Sequence, residues 1–119
     1  MTTRTTEQAP DARTIRLADG DAWLPVCARS LLTPGRGVAA LLPDGRQVAV
    51  FLDRSGRAYA IGNRDPFTGA YVLSRGLVGS AGGRPFVASP LLKQRFDLET
   101  GACLDEDGVT VPVFRVRAD

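Results

Sequence analysis

From Trp23 onward the chain alternates short apolar runs with clusters of Gly, Pro, Asp and Asn. That spacing suits strands and leaves little room for helices. Trp23 to Cys27 reads as a first strand, and the Pro34-Gly35-Arg36-Gly37 turn leads into a second at Val38 to Leu42. Pro43-Asp44-Gly45 then makes a hairpin turn into Gln47 to Leu52. In this run Val48, Val50 and Leu52 interleave with Ala49 and Phe51, so both faces are apolar and the strand belongs at the centre of a sheet. Asp53-Arg54-Ser55-Gly56 turns the chain into Arg57 to Ile61, which completes an antiparallel meander.

Beyond Ile61 the pattern stops for a polar loop and resumes at Phe86 to Ala88, just before a second loop. Phe96 to Leu98 and Ala102 to Leu104 flank a compact turn at Glu99-Thr100-Gly101. Val109 to Val116 alternates, but Pro112 lacks an N–H and so suits an edge strand or a bulge. The glycine-rich stretch Gly76 to Gly83 reads as a flexible hairpin or loop tip, since it lacks the Gly-Lys-Ser/Thr ending of a phosphate loop. Ahead of the strands, residues 1–20 mix three acidic with three basic side chains and few large apolar ones. Such a stretch cannot bury enough surface to offset its ordering entropy, so it reads as a flexible tail before one domain at 21–119.

Composition narrows the partners. A chain of 119 residues, 44% hydrophobic, supports one domain with a single core. Its net charge of +2 is the difference of 15 basic and 13 acidic side chains spread along the sequence. Without a basic stripe to track a phosphate backbone, nucleic acid is not an expected partner. No window reaches the roughly 20 apolar residues of a membrane span, and the N-terminus lacks a secretory layout, which points to the cytoplasm. Cys27 and Cys103 have no neighbouring cysteine or histidine to form a zinc pattern and are expected to be reduced and packed.

Candidate catalytic groups lack partners. The chain has no histidine, so Ser74, Ser89 and Cys103 have no imidazole to take a proton. Asp105-Glu106-Asp107-Gly108 does not have the spacing of a calcium loop and reads as a solvated acidic turn. No catalytic or metal-binding residue is expected. Asp65, in Asn63-Arg64-Asp65-Pro66, has turn chemistry, with a carboxylate placed to accept hydrogen bonds from nearby amides. Arg75, Lys93, Gln94 and Arg95 would form a charged rim beside the second loop, suited to docking a partner.

The two loops, Asn63-Arg64-Asp65-Pro66-Phe67-Thr68-Gly69-Ala70 and Ser89 to Gly101, resemble the ligand loops of a Rieske domain. In that pattern the loops carry Cys-x-His and Cys-x-x-His, the second followed by Phe-Asp-x-x-Thr-Gly. Asp65 and Phe67 fall at the first pair of ligand positions, and Ser89 and Leu92 at the second. A Rieske centre needs two thiolates on one iron and two imidazoles on the other, so the resemblance is to the frame and not to the redox centre. Asp65 and hydrogen bonds would join loops that a cluster otherwise pins, with Phe67 and Leu92 filling part of the same gap.

Asp-Pro-Phe and Ser-Pro-x-x-Lys-Gln at these positions, with Val72-Leu73-Ser74-Arg75-Gly76-Leu77-Val78-Gly79, are similar to the small subunit of assimilatory NAD(P)H-dependent nitrite reductase. The likeness spans about Trp23 to Val116 and leaves the N-terminal tail outside it. It implies an all-β fold, a Rieske-like antiparallel β-sandwich with two apical loops. It also implies a non-catalytic subunit that docks on a large subunit carrying FAD, an iron–sulfur cluster and sirohaem, which reduces nitrite to ammonium. No cofactor is expected in this chain itself. On the residues alone, a cluster-free interaction module serving another oxidoreductase, such as a ring-hydroxylating system, stays open.

Overall fold

The computed structural model describes residues 13–119. Its strands are β1 (Thr14–Asp19), β2 (Ala22–Ala28), β3 (Gly37–Leu41), β4 (Gln47–Leu52), β5 (Ala58–Gly62), β6 (Leu77–Ala81), β7 (Arg84–Ala88), β8 (Arg95–Asp97), β9 (Val113–Phe114) and β10 (Val116–Ala118). They form three sheets, ordered β10-β1-β2, β3-β4-β5-β9 and β6-β7-β8. Every strand pair is antiparallel. This is the all-β sandwich the sequence pattern and the Rieske likeness predict.

The four-stranded sheet is the middle layer, and β4 is buried on both faces as its unbroken apolar run requires. Val48, Val50 and Leu52 face Ile15 and Leu17 of β1, with Leu32 and Leu42 closing that core. Ala49 and Phe51 point the other way, into a second core with Tyr59, Ile61, Leu73, Val87, Phe96 and Leu98. Each large side chain buried this way contributes about 1.5–3 kcal/mol. The second core lies under the two loops and holds them to the sheets.

Three segments differ from the sequence reading. The expected tail is strand in its last part: Thr14–Asp19 forms β1, with Ile15 and Leu17 fully buried. The rest of that tail, residues 1–12, lies outside the described residues. The Gly76–Gly83 stretch is mostly strand β6, and only Gly82 and Gly83, at φ 58° and 80°, form the tip. Its other glycines serve close packing: a Cβ on Gly79 would come within 2.8 Å of the Phe86 ring, and one on Gly76 would meet the Ala88 carbonyl.

The C-terminal run is divided between sheets. β9 pairs with β5, and after Arg115 the chain crosses to pair as β10 with β1. Pro112 lies just before β9, where its carbonyl accepts from Gly62 N–H at 2.9 Å. Ala102–Leu104 makes only isolated bridges, Phe96 with Cys103 and Ala102 with Thr110, and is not a full strand. Cys27 and Cys103 are both free thiols, and burial pushes the Cys27 pKa up. Among the described residues no helix is long and apolar enough to cross a membrane.

Candidate functional site

Three turns around the second core, the first two meeting at one end and the third at the far end of β8, share a single hydrogen-bond skeleton. In the first, Gly69 N–H donates to Asp65 O at 2.7 Å and Asp65 N–H to Ala70 O at 2.8 Å. In the second, Lys93 N–H donates to Ser89 O at 3.1 Å and Ser89 N–H to Gln94 O at 2.9 Å. In the third, Gly101 N–H donates to Asp97 O at 2.8 Å and Asp97 N–H to Ala102 O at 2.9 Å. Each leading side chain caps the N–H two residues on: Asp65 that of Phe67, Ser89 that of Leu91, and Asp97 that of Glu99. Sequence chemistry explains the choice, because Asp and Ser are the residues that bond their own downstream backbone.

The first two turns meet directly. Ser89 Oγ donates to Asp65 Oδ2 at 2.6 Å, and both residues are almost wholly buried. Asp65 is therefore satisfied on both oxygens, with Phe67 N–H on Oδ1 at 2.8 Å. Asn63 anchors the base of the first loop, giving its amide to Gln47 Oε1 and Tyr71 O and accepting Ser74 N–H at 2.8 Å. Phe67 is half-buried against the core, its ring centroid 6.2 Å from that of Phe96. Leu92 departs from its expected role: it is 55% exposed and fills no gap between the loops. The turn directs its side chain outward because Ser89 and Gln94, at the turn's two ends, are what face the protein.

The third turn carries the shortest ion pair among the described residues. Arg84 Nε donates to Asp97 Oδ2 at 2.6 Å. Burial alone would raise the Asp97 pKa, but that bond and the Glu99 and Thr100 N–H donors hold it below the ordinary aspartate value. A depressed folded-state pKa stabilises above the unfolded value of about 3.9 and loses that stability as pH falls through the folded value. With no histidine in the chain, the melting temperature is expected to be flat from about pH 5 to 8 and to fall below about pH 4. Asp97→Asn should melt lower at neutral pH and show a shallower acid limb. A wild-type melting curve that drops between neutrality and pH 5 would contradict this assignment.

The expected docking residues separate into two groups. Arg75 and Lys93 are exposed and make no ion pair with another described residue. Arg95 is instead locked into the fold: its N–H and guanidinium both bond Asp105, at 2.8 and 2.7 Å, and its head lies 5.5 Å from the Phe86 ring centre. The side-chain hydrogen bond to Asp105 raises the Arg95 pKa and lowers that of Asp105. Reversing the charge at Arg95 would therefore disturb the fold before any surface. Gln94 is half-buried, and its Oε1 has no donor among the described residues.

Lys93 is the residue that sequence inspection did not mark as unusual in backbone. At φ 66° it is the one non-glycine residue with positive φ among those described, and Gly69 and Gly101 hold the same place in the sister turns, at 81° and 78°. A side chain in that region costs about 1 kcal/mol or more. Lys93→Gly is expected to stabilise the protein by about 1 kcal/mol, raising the melting temperature by about 4–8 °C. A thermal melt with no gain would show that the strain is absent.

The profile of the Rieske-like [2Fe–2S] domain family matches residues 22–119. The chain belongs to this Rieske-like family. A nitrite reductase (NADH) small subunit from Salmonella typhimurium is 44% identical over 96 residues, covering 80% of this chain and 88% of the relative. The nitrite reductase [NAD(P)H] large subunit of Klebsiella oxytoca contains a 98-residue stretch 40% identical to 82% of this chain, which is 10% of that protein. A crystal structure from Mycobacterium tuberculosis, named as an NADH-dependent nitrite reductase small subunit, shares 50% identity and superposes with a TM-score of 0.75. It covers 90% of this chain and 88% of its own.

The family's description names a [2Fe–2S] cluster, but the residues at the four ligand positions do not fit one. Asp65, Phe67, Ser89 and Leu92 offer neither thiolate nor imidazole, and two of them are spent on each other in a buried hydrogen bond. Nor do the described residues contain a group of three or more His, Cys, Asp or Glu side chains placed to hold a metal ion. The Ser89 hydroxyl is buried and donated to Asp65.

Proposed function

We propose that this chain is the small subunit of a cytoplasmic NAD(P)H-dependent nitrite reductase, acting in nitrate assimilation without carrying electrons itself. The observation that carries the reading is the 44% identity to the Salmonella typhimurium small subunit across 88% of that protein's length. The Asp65–Ser89 hydrogen bond supports the second half, because it ties together the two loops at positions where a Rieske domain is tied by metal. The chain then holds no cluster, and FAD, the iron–sulfur cluster and sirohaem belong to the large subunit. The homologous stretch within the Klebsiella oxytoca large subunit supports placing this domain beside that partner.

The role is to dock on the large subunit and stabilise its active assembly by mass action. Purified large subunit from the same organism, assayed for NAD(P)H-dependent nitrite reduction with and without this chain, tests it together with a pull-down. Binding with a rise in rate or in holoenzyme lifetime is the expected result. A chain that neither binds nor changes either quantity would remove the reading. Iron analysis and a visible spectrum of the protein alone address the cluster: stoichiometric iron with a charge-transfer absorption would overturn the electron-free assignment.

A further inference from the structure

We propose that the Ser89–Gln94 turn is the docking surface, with Leu91, Leu92 and Lys93 seated on an apolar patch of the large subunit that presents a carboxylate to Lys93. This deepens the small-subunit reading and rests on it. The starting point is the internal comparison among three turns of one skeleton. Two place glycine at the positive-φ position, and the second places Lys93 there. Glycine would keep the same hydrogen bonds without strain, since those bonds are made by the backbone. The Lys93 side chain is exposed and bonds to nothing described in the fold, so nothing in the fold repays its strained backbone. Strain retained at an exposed residue points to a use outside the fold.

Its surroundings supply the rest of a contact surface. Leu91 and Leu92 on the same turn are 49% and 55% exposed. Leu77, 77% exposed, is paired in β6 opposite Ala88, the residue before the turn. Leu104, 40% exposed, donates its N–H to Arg95 O just after it. Exposed leucines gathered at one end of a small domain mark an interaction site. The turn is also rigid, held at Ser89 by Asp65 and at both ends by its own backbone bonds, so little ordering entropy is lost on contact.

Charge selects the chemistry of the partner. Arg16, Arg46, Arg57, Arg84, Arg95 and Arg117 each have a carboxylate partner within the chain. Lys93, Arg75 and Arg64, all on or beside the apical loops, have none among the described residues, as is also true of Arg36, Arg54 and Arg115 elsewhere, so it is the exposed leucines beside them that single out the apex. Open cations around exposed leucines complement an apolar patch edged with carboxylates. The homologous stretch inside the Klebsiella oxytoca large subunit commits the occupant to that subunit.

The test measures affinity for the purified large subunit, and melting temperature, for wild type and four full-length variants. Leu92→Asp is expected to weaken binding by about 100-fold and Lys93→Glu by at least about tenfold. Lys93→Gly is expected to melt higher than wild type and yet bind about tenfold more weakly, an opposition that a purely structural residue cannot produce. Leu31→Asp, at an equally exposed leucine beside Arg29, which reaches the β4–β5 turn at Gly56, should bind as wild type does. Wild-type affinity in all three turn variants would overturn this surface while leaving the small-subunit reading standing. Failure of wild type itself to bind would overturn both.

Discussion

Replacing Asp65 with alanine is expected to destabilise the protein by about 3–5 kcal/mol, lowering the melting temperature by about 15–25 °C. The substitution strips the acceptor from two donors at once. Ser89 O–H, now bonded at 2.6 Å, would be left buried without an acceptor, and Phe67 N–H, bonded at 2.8 Å, would lose its acceptor in a part-buried position. Each buried donor left without a partner costs about 1–3 kcal/mol, and bonds to a carboxylate stand at the upper end of hydrogen-bond strengths. Ser89→Ala removes the donor to Asp65 and the long 3.3 Å acceptor of Leu91 N–H, and should cost about 1.5–3 kcal/mol.

A double-mutant cycle of Asp65→Asn with Ser89→Ala isolates the bridge, because each single variant keeps the volume of its site close to native. We expect a coupling energy of about 1.5–2.5 kcal/mol from urea denaturation of the four proteins. Coupling under about 0.5 kcal/mol would mean that the loops are held by the core beneath them and not by this contact. The result bears on function because the docking surface begins at Ser89: if the bridge is loose, the turn beyond it is not presented in one shape.

What the sequence made legible follows from how local each signal was. β4 could be placed at the centre because five adjacent residues, Val48 to Leu52, carry its two apolar faces. The turns at Asp65 and at Glu99-Thr100-Gly101 could be read because a carboxylate that bonds the amide two positions on and a compact Thr-Gly pair are local signals, whereas the capping roles of Ser89 and Asp97 show only in the structure. β1 was hidden because its burial depends on Ile15 and Leu17 alone, and its neighbour β10 lies at the far end of the chain. Glycine in β6 was read as freedom when it answers to crowding by Phe86 and Ala88, residues that composition does not place. Leu92 and Arg95 exchanged roles for a similar reason. Hydrophobicity predicted burial for the first and charge predicted exposure for the second. The backbone of the turn turns Leu92 outward, whereas Asp105 recruits Arg95.

Gly101→Ala is expected to cost about 3–5 kcal/mol, far more than the same change at Gly69, which should cost about 1 kcal/mol. The two glycines hold equivalent places in equivalent turns, with φ of 78° and 81°, so the backbone strain of adding a methyl group is shared. What differs is the space. At Gly69 a Cβ would come 3.2 Å from the end of the Arg64 guanidinium, which can swing away. At Gly101 it would meet the Val111 carbonyl and lie 2.7 Å from Val113 Cγ2. That carbonyl belongs to a segment fixed by Val111 N–H donating to Gly101 O at 2.9 Å, so the obstacle cannot retreat without breaking the bridge. Chemical denaturation of both variants beside Lys93→Gly reads one backbone position in three surroundings. Equal losses at Gly69 and Gly101 would show that the third turn yields. The ordered series, a gain at Lys93, a small loss at Gly69 and a large loss at Gly101, would establish Lys93 as the one place where this skeleton accepts strain that its neighbours avoid.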